Sequence, residues 1–223
     1  LNHSVDIHSF EVDGLPVKYQ TYSSKDSSGF PTEFKQIVSF DSREGEQIII
    51  FQYKSDGVKS FFISYSGTFF ENVEDVHFSN ENVGREVTAT ISEQGAYFSP
   101  SGTYYPMGDE SMASFKLTAN IPESWESISD GNRLSNEIKD GRKIQSWGNP
   151  FKNDGNMFMA APFVTKSTWV DDIEVACYFF EADTGLFDQY LPATAGYIRQ
   201  YSELIGPYPY ERFTVVENFF PTG

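Results

Sequence analysis

Apolar and polar residues alternate through long stretches of this chain. The segments "VDIHSFEV" (5–12), "LPVKYQTY" (15–22), "EFKQIVSF" (33–40), "EQIIIFQY" (46–53) and "KSFFISYS" (59–66) are short and rich in aromatic and β-branched side chains. Turn-forming clusters such as "VDGLP" and "SKDSSGFP" separate them. A period of two puts successive side chains on opposite faces of a pleat, so these segments predict antiparallel strands. Ile48, Ile49, Ile50 and Phe51 are apolar on both faces, which predicts a central strand covered on each side. The series continues with "EVTATI" (86–91), "SFKLTANIP" (114–122) and "IEVACYFF" (173–180). In "SFKLTANIP", Phe115, Leu117, Ala119 and Ile121 are expected to face a core, and Lys116, Thr118 and Asn120 to face water. Residues 123–156 turn to Ser, Asn, Asp and Gly and predict loops with at most short hairpin strands.

At Asp183 the period changes. Phe187, Tyr190, Leu191, Thr194, Ile198, Tyr201 and Ile205 recur at spacings of three and four, the mark of one helix face. Pro192 either kinks this helix or sits in its first turn, because a proline deep in a helix removes a backbone hydrogen bond and clashes with the preceding turn. Gly206 and Pro207 predict its end. The strand "RFTVVENFF" follows, with Val215 and Val216 on opposite faces, so both faces expect cover. The fold class expected is mostly β, an antiparallel sandwich followed by one helix and a strand.

Composition excludes several function classes. The net charge is −16 with a pI near 4.5, and sixteen basic residues lie scattered among thirty-two acidic ones. Nucleic acid and anionic membrane surfaces bind clustered Lys and Arg, so neither is an expected partner. No segment approaches the roughly 18 to 20 continuous apolar residues of a membrane span. An acidic surface fits a secreted or envelope protein. Cys177 is the sole cysteine, so no internal disulfide can form, and its place among Ile173, Val175 and Phe179 on one strand face makes it a packing residue. His3, His8 and His77 match no zinc-ligand spacing, so no cofactor is expected on this chain. Twenty-one Phe outnumber thirteen Tyr and three Trp, which favours a Phe-rich core over a surface of rings that stack on sugars.

Three segments carry a family resemblance. "YSELIGPYPYERFTVVENFFPTG" (201–223) resembles the stretch of aminopeptidase N-family zinc peptidases in which a helix ends in glycine and a Pro-Tyr-Pro turn. In that family a strand follows, and then the exopeptidase loop. "YFSPSGTYYPMGDESMASFKLTANIP" (97–122) resembles the family's β-domain segment, with Phe98, Pro100, Pro106, Asp109, Glu110, Phe115, Leu117 and Pro122 in register if short deletions are allowed. "MFMAAPFV" (157–164) stands where the family has a further β-domain strand. The matches occur in the family's order and cover roughly residues 97 to 223.

The resemblance implies an architecture and a chemistry. Residues 1–181 would form a saddle-shaped N-terminal β-domain lacking its first strands, and residues 182–223 would begin a truncated, thermolysin-like α/β catalytic domain. The full-length protein would be a zinc peptidase acting on peptide substrates, its metal held by a His-Glu-x-x-His motif and a distant Glu, none of them present here. The chain itself would be catalytically silent, and its partner would be the missing catalytic domain. The family's β-domain supplies a Gln and a Glu that help hold the substrate's free α-amine. The matching substrate-binding positions are Tyr97 and Ser99, neither of which carries a charge, while Asp109 and Glu110 match carboxylates read as structural. The alternative is a non-catalytic β-sandwich module that binds carbohydrate or protein.

Overall fold

The structure is a computed structural model that describes residues 1–24, 29–32, 45–52, 57, 60–72, 87–107 and 112–220. It is mostly strands in antiparallel sheets, with one α-helix among the described residues near the C-terminus. The expected strand at 33–40, and His77, Asp109 and Glu110, lie outside the described residues. The chain divides into two compact units, Leu1–Phe70 with Ser101–Asp109, and Glu71–Pro100 with Glu110–Gly223.

The first unit contains β1 (Val5–Val12), β2 (Leu15–Pro16), β3 (Tyr19–Ser23), β4 (Gln47–Phe51) and β5 (Phe61–Gly67). The sheet order β2-β1-β5 is antiparallel, and the β1–β2 turn uses Asp13 and Gly14 at positive φ, the conformation a two-residue hairpin needs. The expected strand 15–22 is two strands. Leu15–Pro16 pairs with β1, whereas Tyr19–Ser23 pairs with β4, so the chain changes sheets at Val17 and Lys18. The Phe10 ring packs edge-on to Tyr19 and Phe51, with centroids 5.8 and 4.6 Å away. β4 is half-buried throughout, and among the described strands it pairs with β3 in a two-stranded ladder rather than lying mid-sheet.

The second unit contains β6 (Ala89–Ile91), β7 (Ala96–Phe98), β8 (Ala113–Pro122), β9 (Glu126–Ser129), β10 (Asn132–Lys139), β11 (Arg142–Asn153), β12 (Phe158–Ala161), β13 (Val164–Val170), β14 (Ile173–Phe179), α1 (Phe187–Leu204) and β15 (Arg212–Val216). Its sheets run β10-β11-β8, β6-β7-β12-β9 and β13-β14-β15, the last pair parallel. β8 presents its two faces as expected, with Ala119 and Ile121 buried and Lys116, Thr118 and Asn120 exposed.

The region 123–156 departs from expectation, since it holds three strands, one of twelve residues. Several of its polar residues, Ser127, Ser129, Gln145 and Asn156, are buried and paired inside the protein rather than solvated. Gln145 is fully buried, accepting from the Ser127 amide and hydroxyl and donating to Glu126. Trp147, 1% exposed, donates its indole N–H to Ser127 Oγ at 2.9 Å. A side chain whose hydrogen bonds are met can enter a core at little cost.

β14 is covered on both faces. Val175, Cys177 and Phe179 pack with Phe187, Leu191, Ala195 and Ile198 of α1, while Ala176 and Tyr178 pack with Trp147, Met159 and Phe163. Cys177 is fully buried and serves packing, as its strand position predicts. α1 starts at Phe187, after a 3-10 turn over Glu181–Leu186, and carries Pro192 inside it. β15 follows the Gly206-Pro207 break and pairs with β14 along Arg212–Val216, its Val215 and Val216 packing into the two different clusters.

Candidate functional site

β7 carries Tyr97 and ends at Phe98, directly before Ser99, the other residue singled out by the resemblance. It lies between β6 and β12, so its backbone is bonded on both edges. The half-buried Tyr97 ring meets Phe220 edge-to-face at 5.0 Å and packs against the cluster containing Trp147, Met159 and Tyr178. Ser99 is 3% exposed, and both its amide and its hydroxyl donate to the Thr88 carbonyl, at 2.9 and 3.3 Å. Tyr97 therefore stands beside the segment that leaves β15, while Ser99 fastens the end of β7.

That segment bounds an open pocket of about 650 Å³ lined by Gln94, Pro162, Phe180, Glu217, Asn218, Phe219 and Phe220. Gly95, at the β6–β7 turn, lets the wall close up. A Cβ there would lie 2.7 Å from the Phe219 ring and 3.0 Å from the Ala160 carbonyl oxygen, nearer than side chains tolerate. Glu217 is the carboxylate among the lining residues, and it is not free-standing. Its Oε2 accepts from the Phe180 amide at 2.8 Å. Burial pushes its pKa above the ordinary carboxylate value, as does a hydrogen bond and like charge from Asp183, and the Phe180 amide opposes them.

β15 is pinned at its other end by Arg212. The guanidinium pairs with Glu174 at 3.1 Å, donates to the Tyr178 hydroxyl and to Thr214 Oγ1 at 3.0 Å each, and lies over the Trp147 ring at 5.1 Å. Burial raises the Tyr178 pKa, and the Arg212 charge partly offsets it. A second groove, of about 560 Å³, runs between α1 and β15 and is lined by Tyr190, Thr194, Tyr197, Ile198, Phe213 and Val215 among others.

No group of three His, Cys, Asp or Glu side chains suited to a metal occurs among the described residues. His3 is hydrogen-bonded to the Gly45 carbonyl and His8 to Ser66 Oγ. These residues do not fit a zinc site. No helix among the described residues is long and apolar enough to cross a membrane. Neither Tyr97 nor Ser99, the residues sequence reasoning singled out, lines this pocket, and Glu217, Phe180 and Gln94, which do, were not singled out by it. The available signal was a carboxylate and two phenylalanines directly after an apolar strand.

No protein-family model matches the chain, and the search of curated proteins found no match. Solved structures do resemble it. The M1 zinc metallopeptidase from Deinococcus radiodurans superposes with a TM-score of 0.63 at 12% identity, over 96% of this chain and 46% of that one. A mutant of that enzyme bound to a Tyr-Ser-Ala substrate gives 0.61 at 14% identity over the same shares. Legionella pneumophila aminopeptidase A, in complex with aspartic acid, gives 0.67 at 10% identity, over 96% of this chain and 24% of that one. At such identities the likeness is one of fold, and the chain spans less than half the length of these proteins.

Proposed function

We propose that this chain is the N-terminal portion of a zinc-dependent, aminopeptidase-like metallopeptidase that hydrolyses peptide bonds. In this reading residues 1–181 are the β-domain and residues 182–223 open the catalytic domain. The observation that carries it is a fold shared over 96% of the chain with M1 zinc metallopeptidases. The order of helix, Gly206-Pro207-Tyr208-Pro209 turn and strand at the place the sequence resemblance requires supports it further. The exposed tyrosines Tyr197 and Tyr201 and the groove beneath them form the face that the remaining catalytic portion covers.

Tyr97 and Ser99 are the β-domain's contribution to substrate binding. Neither is an acidic or basic side chain of the kind that neutralises an α-ammonium. Tyr97 offers it a ring face and a hydroxyl acceptor instead. Ser99 holds the strand end in register through Thr88. Zinc and its ligands belong to the rest of the protein, because the described residues provide no set that fits the metal.

The test is hydrolysis by the full-length protein. Release of the N-terminal residue from unblocked peptides, lost with a chelator and restored by zinc, is the expected result. Tyr97→Ala should raise KM by about 2- to 30-fold, the range of one cation–π contact, with little change in kcat. No hydrolysis by zinc-loaded full-length protein would sink the reading.

A further inference from the structure

The pocket at the exit of β15 combines three phenylalanine rings with one carboxylate, and its volume of about 650 Å³ suits a small molecule. Each ring is backed by a neighbour. Phe220 meets Tyr97 edge-to-face at 5.0 Å, Phe180 lies against Phe163 at 5.0 Å, and Phe219 packs on Phe220 at 5.2 Å and closely over Gly95. The walls are therefore set before anything enters.

Glu217 is fixed as well. Its amide donates to the Tyr178 carbonyl at 2.9 Å, and its Oε2 accepts from the Phe180 amide at 2.8 Å. A carboxylate has about four lone-pair sites, so the Phe180 bond leaves acceptor capacity. Gln94 and Asn218 add side-chain amide oxygens to the same lining, that of Asn218 also accepting from the Phe219 amide at 2.9 Å. No Lys, Arg or His lines the pocket. Lys166 of β13 pairs with Asp188 and Arg212 of β15 with Glu174, so these cations of the neighbouring strands are engaged elsewhere. Burial raises the Glu217 pKa, and the like charge of Asp183 adds to it, as befits a negative charge with no cation beside it.

The lining calls for a cation with apolar surface. A metal ion is not served, because phenyl rings supply no ligand and no group of three His, Cys, Asp or Glu suited to a metal occurs among the described residues. An anion meets the charge of Glu217, and a neutral apolar molecule buries that carboxylate without a partner. An ammonium on an apolar arm meets both demands. Its N–H groups donate to Glu217 and the amide oxygens, its charge lies against the ring faces, and its arm covers the rings.

We infer that this pocket binds a small primary ammonium carrying an aromatic or aliphatic arm, with Glu217 as its charge partner and Phe180, Phe219 and Phe220 as its walls. The inference does not rest on the peptidase reading, since every group of the pocket lies on this chain.

Titration of the 223-residue chain with phenethylammonium chloride, followed by calorimetry and NMR, tests it. Phenethyl alcohol is the neutral probe with the same ring, and hydrocinnamate the anionic one. Phenethylammonium should bind about 10- to 100-fold more tightly than the alcohol, the difference one charged hydrogen bond makes, and hydrocinnamate should not bind. The signals that move should be the Glu217 carboxyl carbon and the Phe219 and Phe220 rings. Glu217→Gln keeps an oxygen for the Phe180 amide and should bring the ammonium down to the affinity of the alcohol. The comparison of probes on the unaltered chain decides the matter even if that variant folds poorly. The same titration of the full-length protein, with zinc chelated, distinguishes a free amine from a basic side chain of the protein's own remainder, and binding should be retained there. Equal affinity for ammonium and alcohol, moving signals confined to other parts of the chain, undiminished binding by folded Glu217→Gln, or binding lost in the full-length protein would overturn the inference.

Discussion

Arg212 ties β15 to β14 through its side chain. It is almost fully buried, and truncating it strands the Glu174 carboxylate and the Tyr178 hydroxyl. Arg212→Ala should cost on the order of 3 kcal/mol in urea unfolding, and Arg212→Lys should recover only part of it, because a lysine cannot lie flat on Trp147 while bonding both partners. Gly95→Ala should cost roughly 1 to 3 kcal/mol, since the Phe219 ring must move. Glu217 gives a pH signature of definite sign. Its folded pKa is raised, so its contribution to stability is complete below its ordinary value near 4.5 and is lost as pH rises through the folded value. The pH dependence of unfolding above that point should flatten in Glu217→Gln. Little of this was legible in the sequence. Arg212 reads as a charge at a strand start, and Glu217 as a further position of the strand "RFTVVENFF", which in the structure ends one residue before it. Their meaning comes from Glu174, Tyr178 and Phe180, which lie 34 to 38 residues earlier and meet them only when β15 pairs with β14.

Elements were legible where pattern and packing agree. β1, β8 and β14 fall within a residue of the spans their alternation predicts. The strands β9 to β11 were hidden because their interior carries Ser127, Ser129 and Gln145, residues typical of loops whose hydrogen bonds are here met inside the protein. The helix was read correctly in existence and in its end, but only half of its face is core. Phe187, Leu191, Thr194 and Ile198 are buried, whereas Tyr201 and Ile205 are 56% and 82% exposed. Pro192 is exposed at the sixth helical position and cannot donate to the Asp188 carbonyl. Pro192→Ala should therefore raise stability by about 1 to 3 kcal/mol in thermal or urea unfolding. A loss of stability instead would mean that the proline is needed to turn the 3-10 segment into the helix.

At the scale of the molecule, charge and fold give different kinds of information. A net charge of −16 repels itself, so raising sodium chloride from about 0.01 to 0.15 M, which shortens the screening length from roughly 30 to 8 Å, should raise the unfolding midpoint. The overall β-rich architecture with its closing helix was legible from periodicity. The division into Leu1–Phe70 with Ser101–Asp109 and the remainder was not, because it depends on contacts between segments far apart in sequence. The proposal of a larger peptidase rests on the shared fold and on the order of motifs near the C-terminus. Elemental analysis for zinc, made in parallel on the full-length protein and on the 223-residue chain after dialysis into metal-free buffer, tests it most directly. Stoichiometric zinc in the full-length protein and none in the chain is the predicted result. Zinc retained by the chain, or absent from an active full-length protein, would contradict the account.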